Sequence, residues 1–404
     1  MSKTVLFVGA GRHQRRAIAR AGELGLRTVA VDRNPEALGF AEAHSFEVVD
    51  FSDVPAGIEV GRLHAVDGVL TVSADRAVPV VAEVAEALGL PGIGAETARL
   101  MTHKVAMRRL FADAGVPQPR FAAVRTLEEA RRAARTVGFP AVLKPADSGG
   151  QRGVFRLDSA DDLERHLHAA LAESPTEEAI VEAFQDGIEL NGLVIARAGE
   201  VELLTLSDRL RPPGIGFGVG WIHVYPSTLY ADTLRAAEEV AVHAVHTIGL
   251  RDGIAFPQII AADGEAWLVE VAARIPGGQM ADLARHAVGV DLVELALRQA
   301  LGEPVPDELA RPRVQQPLAI RFLTAEPGPL PTGKLRSWSG LERVLAFPGV
   351  VQADVFLTEG EEIRPVRLDG DRRGYVIAVG DTNVEALERA EAAAGLLDVE
   401  VERA

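Results

Sequence analysis

Lys144 closes a short apolar run and is followed by a glycine-rich stretch, AVLKPADSGGQRGV over residues 141 to 154. An ammonium at the end of a strand, with unhindered backbone N–H groups after it, is the chemistry of a phosphate site. The same string also describes a β-turn beside a solvent-facing lysine. Lysine usage bears on the choice: only Lys3, Lys104, Lys144 and Lys334 occur among 42 Lys plus Arg. Where a surface cation suffices this chain uses arginine, so a retained lysine marks a place for a compact, flexible ammonium. Lys3 is terminal, which brings Lys104 and Lys144 forward. The glycines follow Lys144 instead of preceding it, and that order excludes a Walker loop.

Two further groups carry chemistry. Glu270 sits in VEVAA, an otherwise apolar strand in which an unpaired carboxylate would be costly. Gly9 and Gly11 in GAGRHQ follow a strand, and Asp32 ends the next strand, as in a dinucleotide fingerprint. Gln14 occupies the third glycine position, however, and the segment is read as a structural turn. His243 and His246 lie three apart on a helix, but with no third ligand nearby they are read as ordinary helix residues.

The elements that must position these groups follow from the pattern of apolar runs. TVLFVG, TVAVD, FEVVD and GVLTV alternate with helical segments, including residues 15 to 24 and 77 to 88, which predicts a doubly wound parallel sheet over residues 1–98. A helix is expected over 98 to 114, stopped by Gly115 and Pro117. Strands and helices then alternate less regularly, as in an α+β domain over 99–312 with a lid subdomain near 117–185. PPGIGFGVG (212 to 220) is read as a functional loop. A proline-rich connector leads to a small C-terminal α+β domain over 313–404. With 404 residues, several domains are expected.

Bulk properties narrow the partners. The net charge of −16 argues against nucleic acid, which demands a basic surface. There is no cysteine, which excludes disulfides and thiolate chemistry. No apolar run is long enough for a membrane span and no secretory leader is legible, so a cytoplasmic protein is expected.

Four motifs, in order, resemble those of the ATP-grasp superfamily: HKVAMRRLFADAGVPQP (103 to 119), FPAVLKP with its glycine loop, VEAFQDGIE (181 to 189) and VEVAARIPGG (269 to 278). The resemblance covers nearly the whole chain and implies ATP and Mg²⁺ as cofactors. It implies that Lys104 and Lys144 neutralise α- and β-phosphate charge. Ser148, Gly149, Gly150, Gln151, Arg152 and Gly153 would form a loop donating N–H groups to the β- and γ-phosphates. Backbone groups of Glu182, Ala183 and Phe184 would meet the adenine edge, and Glu189 the ribose hydroxyls. Glu270 would bind Mg²⁺, with Gln258 at the other acidic position. Ala272 stands where the family usually has asparagine, which puts the number of metal ions in doubt. Arg274 would clamp a substrate carboxylate and its acyl phosphate, assisted by Gly277 and Gly278. Asp75, Arg209, Arg211 and His223 are further substrate candidates.

The resemblance implies an ADP-forming carboxylate–amine ligase of the type of the L-amino acid ligases, acting on small-molecule carboxylates and amines such as amino acids. A purine- or carbamoyl-pathway ATP-grasp enzyme shares the architecture. The reduced metal site motivates a non-catalytic nucleotide-binding regulator as another reading, and the GxG turn an NAD-dependent oxidoreductase. A biotin carboxylase is disfavoured because the chain has no biotinyl-lysine segment. A homodimer is the expected assembly.

Overall fold

The computed structural model describes residues 2–212 and 219–402. Nineteen strands fall into four sheets among these residues. The first holds β1 (Thr4–Val8), β2 (Arg27–Asp32), β3 (Ser45–Val48) and β4 (Gly68–Leu70), all parallel in the order β3-β2-β1-β4. Every side chain of β1 is buried, as an apolar run with helices on both sheet faces requires.

The GAGRHQ turn explains itself. The Asp32 carboxylate accepts from the Ala10 N–H at 2.9 Å, and Gln14 Nε2 donates to Val72 O at 2.5 Å. Gln14 thus fills the space a third glycine would leave open, and Asp32 is spent on the turn itself. Both observations fit a structural turn.

β5 (Phe121–Val124), β6 (Ala141–Pro145), β7 (Phe155–Leu157) and β8 (Ala179–Ala183) make a small antiparallel sheet in the order β5-β8-β6-β7. Helices Leu127–Val137 and Ala160–Ala172 cover it. Each starts at a side-chain cap, Thr126 and Ser159, that satisfies an orphan N–H.

The largest sheet is antiparallel and has eight strands. β9 (Ile188–Arg197), β10 (Glu200–Leu210), β11 (Ile222–Tyr225), β12 (Gly253–Ala262) and β13 (Glu265–Ala272) form one half, in the order β13-β12-β9-β10-β11. β14 (Leu318–Phe322) pairs with β11 and extends the sheet through the boundary expected near residue 312. After β15 (Gly333–Ser339), β16 (Val350–Val355) and β17 (Glu362–Ile363), strand β18 (Gly374–Val379) joins β14 to β16 at the far edge. β19 (Asp398–Glu402) closes a three-stranded sheet with β15 and β17. The C-terminal region therefore shares its main sheet with the central one, a long-range pairing that no local pattern announces.

One expected element is two. Residues 98 to 114 hold the end of helix Ala95–Thr102 and all of helix Lys104–Asp113, broken at His103 with φ −118° and ψ 100°. His103 Nδ1 accepts from the Ala106 N–H, capping the second helix in the way a serine would. Lys104 is thereby its first residue, and its N–H donates to Ala146 O, two residues beyond Lys144, at 2.6 Å. The break brings the two lysines to one place. Among the described residues no helix is long and apolar enough to cross a membrane.

Gly187 makes the turn from β8 into β9 with φ +146°, and a Cβ there would stand 2.7 Å from Ala261 O. Gly187→Ala is expected to cost about 1–3 kcal/mol through strain and the displaced strand. Chemical denaturation reads this directly; a variant within a few tenths of a kcal/mol of the parent would refute it.

Candidate active site

The sheets converge on a cleft of about 830 Å³, in the range of small-molecule sites. Its walls carry eight Lys and Arg side chains against six carboxylates, in a protein of net charge −16. Positive charge is concentrated where an anion would have to bind.

At its base lies a buried group of three charges. Glu182 on β8 receives Arg108 Nε at 2.7 Å and Lys144 Nζ at 2.8 Å, and all three side chains are nearly inaccessible. Arg108 also donates to Gln118 Oε1, Leu268 O and Val269 O, so four of its five N–H donors are engaged. Burial alone would push the Glu182 carboxyl up; Arg108 and Lys144 outweigh it and hold it at about 2. Burial pulls the Lys144 ammonium down, against the attraction of Glu182 and with the repulsion of Arg108. One carboxylate thus serves two cations, and Lys144 lines the cleft with charge still to be compensated.

Lys104 is the second cation. Its Nζ donates to Ser148 O at 2.7 Å and lies 3.9 Å from Glu270 Oε2, tying the glycine loop to the wall opposite. In that loop Gly150, Gln151 and Gly153 have φ of +69°, +64° and +68°, conformations that suit glycine. Ser148 Oγ has no protein partner. A Cβ on Gly149 would stand 3.0 Å from Asp75 Oδ2, so the loop reaches across to the N-terminal region. Arg152 turns away from the cleft, 3.6 Å from Glu173.

The sequence reading assigned backbone groups of residues 182 to 184 to a base. Here the Ala183 N–H donates to Arg120 O and the Phe184 N–H to Pro140 O, while the Phe184 ring stacks under Arg156. Glu189, at the start of β9, accepts from Arg209 at 2.7 Å and Arg211 at 3.3 Å. The Glu189 carboxylate is therefore held by one arginine on the neighbouring strand and one just past its end.

Glu270 and Gln258 are opposite one another in register on β13 and β12 and both line the cleft. Glu270 is partly open to it, with 40% of its side chain exposed. A carboxylate beside an amide oxygen is an all-oxygen donor set, which fits Mg²⁺. Among the described residues no group of three His, Cys, Asp or Glu could hold a metal. Ala272 supplies no third donor.

At the other end Arg274 binds Asp75 through Nε at 2.7 Å and Nη2 at 2.6 Å. The local cause is a parallel bridge between Val72 and Ile275, with the Ser73 N–H donating to Ile275 O, which docks the end of the first sheet beside Arg274. Gly277 packs so closely against Ser73 Oγ that a Cβ there would force the serine side chain to turn. Gly278 and Gln279 lead into a short helix, Met280–Leu283, continued by one π-helical turn.

His223 lies next to Gly278, 3% exposed, with neither ring nitrogen hydrogen-bonded. Burial, with Arg372 and Arg209 nearby, takes its pKa well below the usual value, so it is a neutral imidazole. Arg372 was not legible in the sequence. Its guanidinium stacks on Phe322, donates to Gly220 O and pairs with Asp369, in a loop remote in sequence. The 212 to 220 loop falls largely on residues 213–218, outside the described residues.

Two lysines, a glycine loop, a carboxylate–amide pair and an arginine thus meet in one cleft, a layout suited to a phosphorylated ligand. The family model for the carbamoyl-phosphate synthase L chain, ATP binding domain, matches residues 103–308. Flanking it, an ATP-grasp N-terminal domain matches residues 18–92 and an L-amino acid ligase C-terminal domain 2 matches 321–402. The chain belongs to the ATP-grasp family, whose members are ADP-forming ligases using ATP and Mg²⁺. A formate-dependent phosphoribosylglycinamide formyltransferase of Ignicoccus hospitalis is 28% identical, covering 98% of this chain and 96% of that one. The L-amino acid ligase of Bacillus licheniformis superposes with a TM-score of 0.84 at 22% identity over 100% of this chain and 99% of that one. A biotin carboxylase domain dimer of Hydrogenobacter thermophilus, solved with MgADP, gives 0.80 at 20% identity over 99% and 91%.

Glu182 should mark the acid limb of stability. Its folded pKa of about 2 lies below the ordinary carboxylate value of 4.5, so its contribution is fully present above about pH 4.5 and is lost as pH falls towards 2. The shift corresponds to roughly 3 kcal/mol. Glu182→Gln should be destabilised at pH 7 and show a flatter stability profile between those pH values; a parent-like slope would contradict the ion group.

Proposed function

We propose that this protein is a carboxylate–amine ligase that forms an amide through an acyl phosphate, with ADP and phosphate as products. The observation that carries the reading is the convergence in one cleft of Lys104 and Lys144, Glu270 and Gln258, and Arg274. A donor carboxylate would be seated by Arg274, which Asp75 holds in a fixed orientation. Its oxygen attacks the γ-phosphorus of ATP, the bond to the β,γ-bridging oxygen breaks, and ADP leaves. The amine nitrogen then attacks the acyl carbon, phosphate departs and the nitrogen loses a proton. Lys104 and Lys144 balance phosphate charge, and the glycine loop excludes water from the acyl phosphate. Mg²⁺ held by Glu270 and Gln258 would offset charge on the transferring phosphoryl group. His223, neutral and unpartnered, is placed to hydrogen-bond substrate near Gly277 and Gly278. Arg209 and Arg211 act by holding Glu189 at the ribose end.

An amino acid is favoured as a substrate by the C-terminal match to L-amino acid ligases. The single carboxylate of the metal site favours a second reading, a nucleotide-binding regulator without turnover. Phosphate release from MgATP, screened against amino acids singly and in pairs, separates the two. Release that needs a particular carboxylate and yields ADP supports the ligase; ATP binding with no release under any pair favours the regulator.

Two substitutions sharpen this. Lys144→Ala leaves Glu182 and Arg108 as a balanced pair, so the protein should fold while losing ATP turnover by at least about 100-fold. Normal turnover in the folded variant would remove Lys144 from the site. Arg274→Ala should keep ATP affinity within a few-fold yet abolish carboxylate-dependent release. Loss of ATP binding itself, measured by calorimetry, would contradict a substrate role.

A further inference from the structure

We propose that Asn191 is a third oxygen donor to the divalent cation, taking the part that Ala272 cannot. The inference rests on the reading of Glu270 and Gln258 as metal ligands. Gln258 pairs with Glu270 on one side and with Asn191 on the other. Residues directly opposite on adjacent strands project from the same sheet face, so the three side chains form one row across β13, β12 and β9. All three line the cleft.

Asn191 is fully buried, yet its Oδ1 has no hydrogen-bond partner. Its Nδ2 has only Met280 Sδ, at 3.8 Å, a weak acceptor. Leaving a buried amide oxygen unpaired costs about 1–3 kcal/mol, and a leucine of the same size would avoid that cost. An asparagine kept purely for packing would be a poor choice here. A cation relieves the cost, because an amide oxygen is a good Mg²⁺ ligand and the row already offers a carboxylate and a second amide. Met280 opens the short helix that follows Arg274, so the row runs from Glu270 towards the Arg274 end of the cleft.

The donor set is then one carboxylate and two neutral amides. Such a site binds the free cation weakly and binds it better when nucleotide phosphates add their own charge. Replacing Asn191 by a carboxylate should strengthen it.

The test is Mn²⁺ affinity, read by electron paramagnetic resonance on the whole protein saturated with a non-hydrolysable ATP analogue. Asn191→Ala and Asn191→Leu should each weaken Mn²⁺ about tenfold or more, and Asn191→Asp should tighten it, a range typical of losing or gaining a metal-site partner. Glu270→Gln is the control for the site. If Glu270→Gln loses Mn²⁺ while folded Asn191→Ala and Asn191→Leu stay within twofold of the parent, the role of Asn191 is overturned and the metal site stands. If Glu270→Gln also leaves Mn²⁺ affinity unchanged, the metal site fails and the proposal with it. Should both apolar variants misfold, Asn191→Asp decides: parent-like Mn²⁺ affinity overturns the proposal.

Discussion

The pairing of one buried carboxylate with two buried cations, Arg108 and Lys144 on Glu182, is the constraint around which the cleft is arranged. Removing any one of these charges from water is expensive unless partners replace the lost hydration. Arg108 meets most of that demand, with four of its five N–H donors hydrogen-bonded. Three of these go to Gln118 and to the carbonyls of Leu268 and Val269, the two residues before Glu270. One guanidinium thereby joins the small sheet, the helix that begins at Lys104 and the strand that carries the candidate metal ligand. Lys144 is less well served, since it shares a carboxylate already engaged by Arg108. Its ammonium is the member of the group that a phosphate oxygen can still stabilise, and part of nucleotide affinity can come from that unfinished compensation.

The other end of the cleft depends on a different kind of join. The first sheet is tied to the turn after Glu270 by the bridge between Val72 and Ile275. That bridge is what brings Asp75 to Arg274, and Asp75 also abuts the glycine loop at Gly149. Three segments far apart in sequence therefore meet at one carboxylate.

Much of this was legible in the sequence because it is local. A buried lysine strand followed by glycines, an apolar strand interrupted by a glutamate and a βα turn rich in glycine all have short-range signatures. Gln14 at the third glycine position of the partial dinucleotide fingerprint is equally local, and its side chain donates to Val72 O. What was not legible is pairing across distance. Arg108 reads as one more arginine on a helix, since nothing nearby marks Glu182 as its partner. Arg372 lies in a C-terminal loop with no signature, and it reaches the site because β14 and β18 continue the central sheet. The break at His103 was missed because helical periodicity runs straight through it; an extended backbone at one residue leaves no trace in composition.

The distribution of charge follows from these features. A site with two carboxylates would hand more of the work on a transferring phosphoryl group to its cations in solution equilibrium. On the proposed reading, with Gln258 and Ala272 at those positions, fixed positive charge would carry a larger share. Lys144 and Arg274 are oriented by acidic partners, Glu182 and Asp75, and Lys104 by the Ser148 carbonyl with Glu270 3.9 Å away. Orientation before substrate arrives is what makes such groups effective, because no reorganisation is needed as charge develops. The acidic partners cost little in the resting protein, and they keep a positively lined cleft compatible with a net charge of −16. Two of the four lysines in the chain line this cleft, where a small ammonium serves a buried carboxylate or a backbone carbonyl.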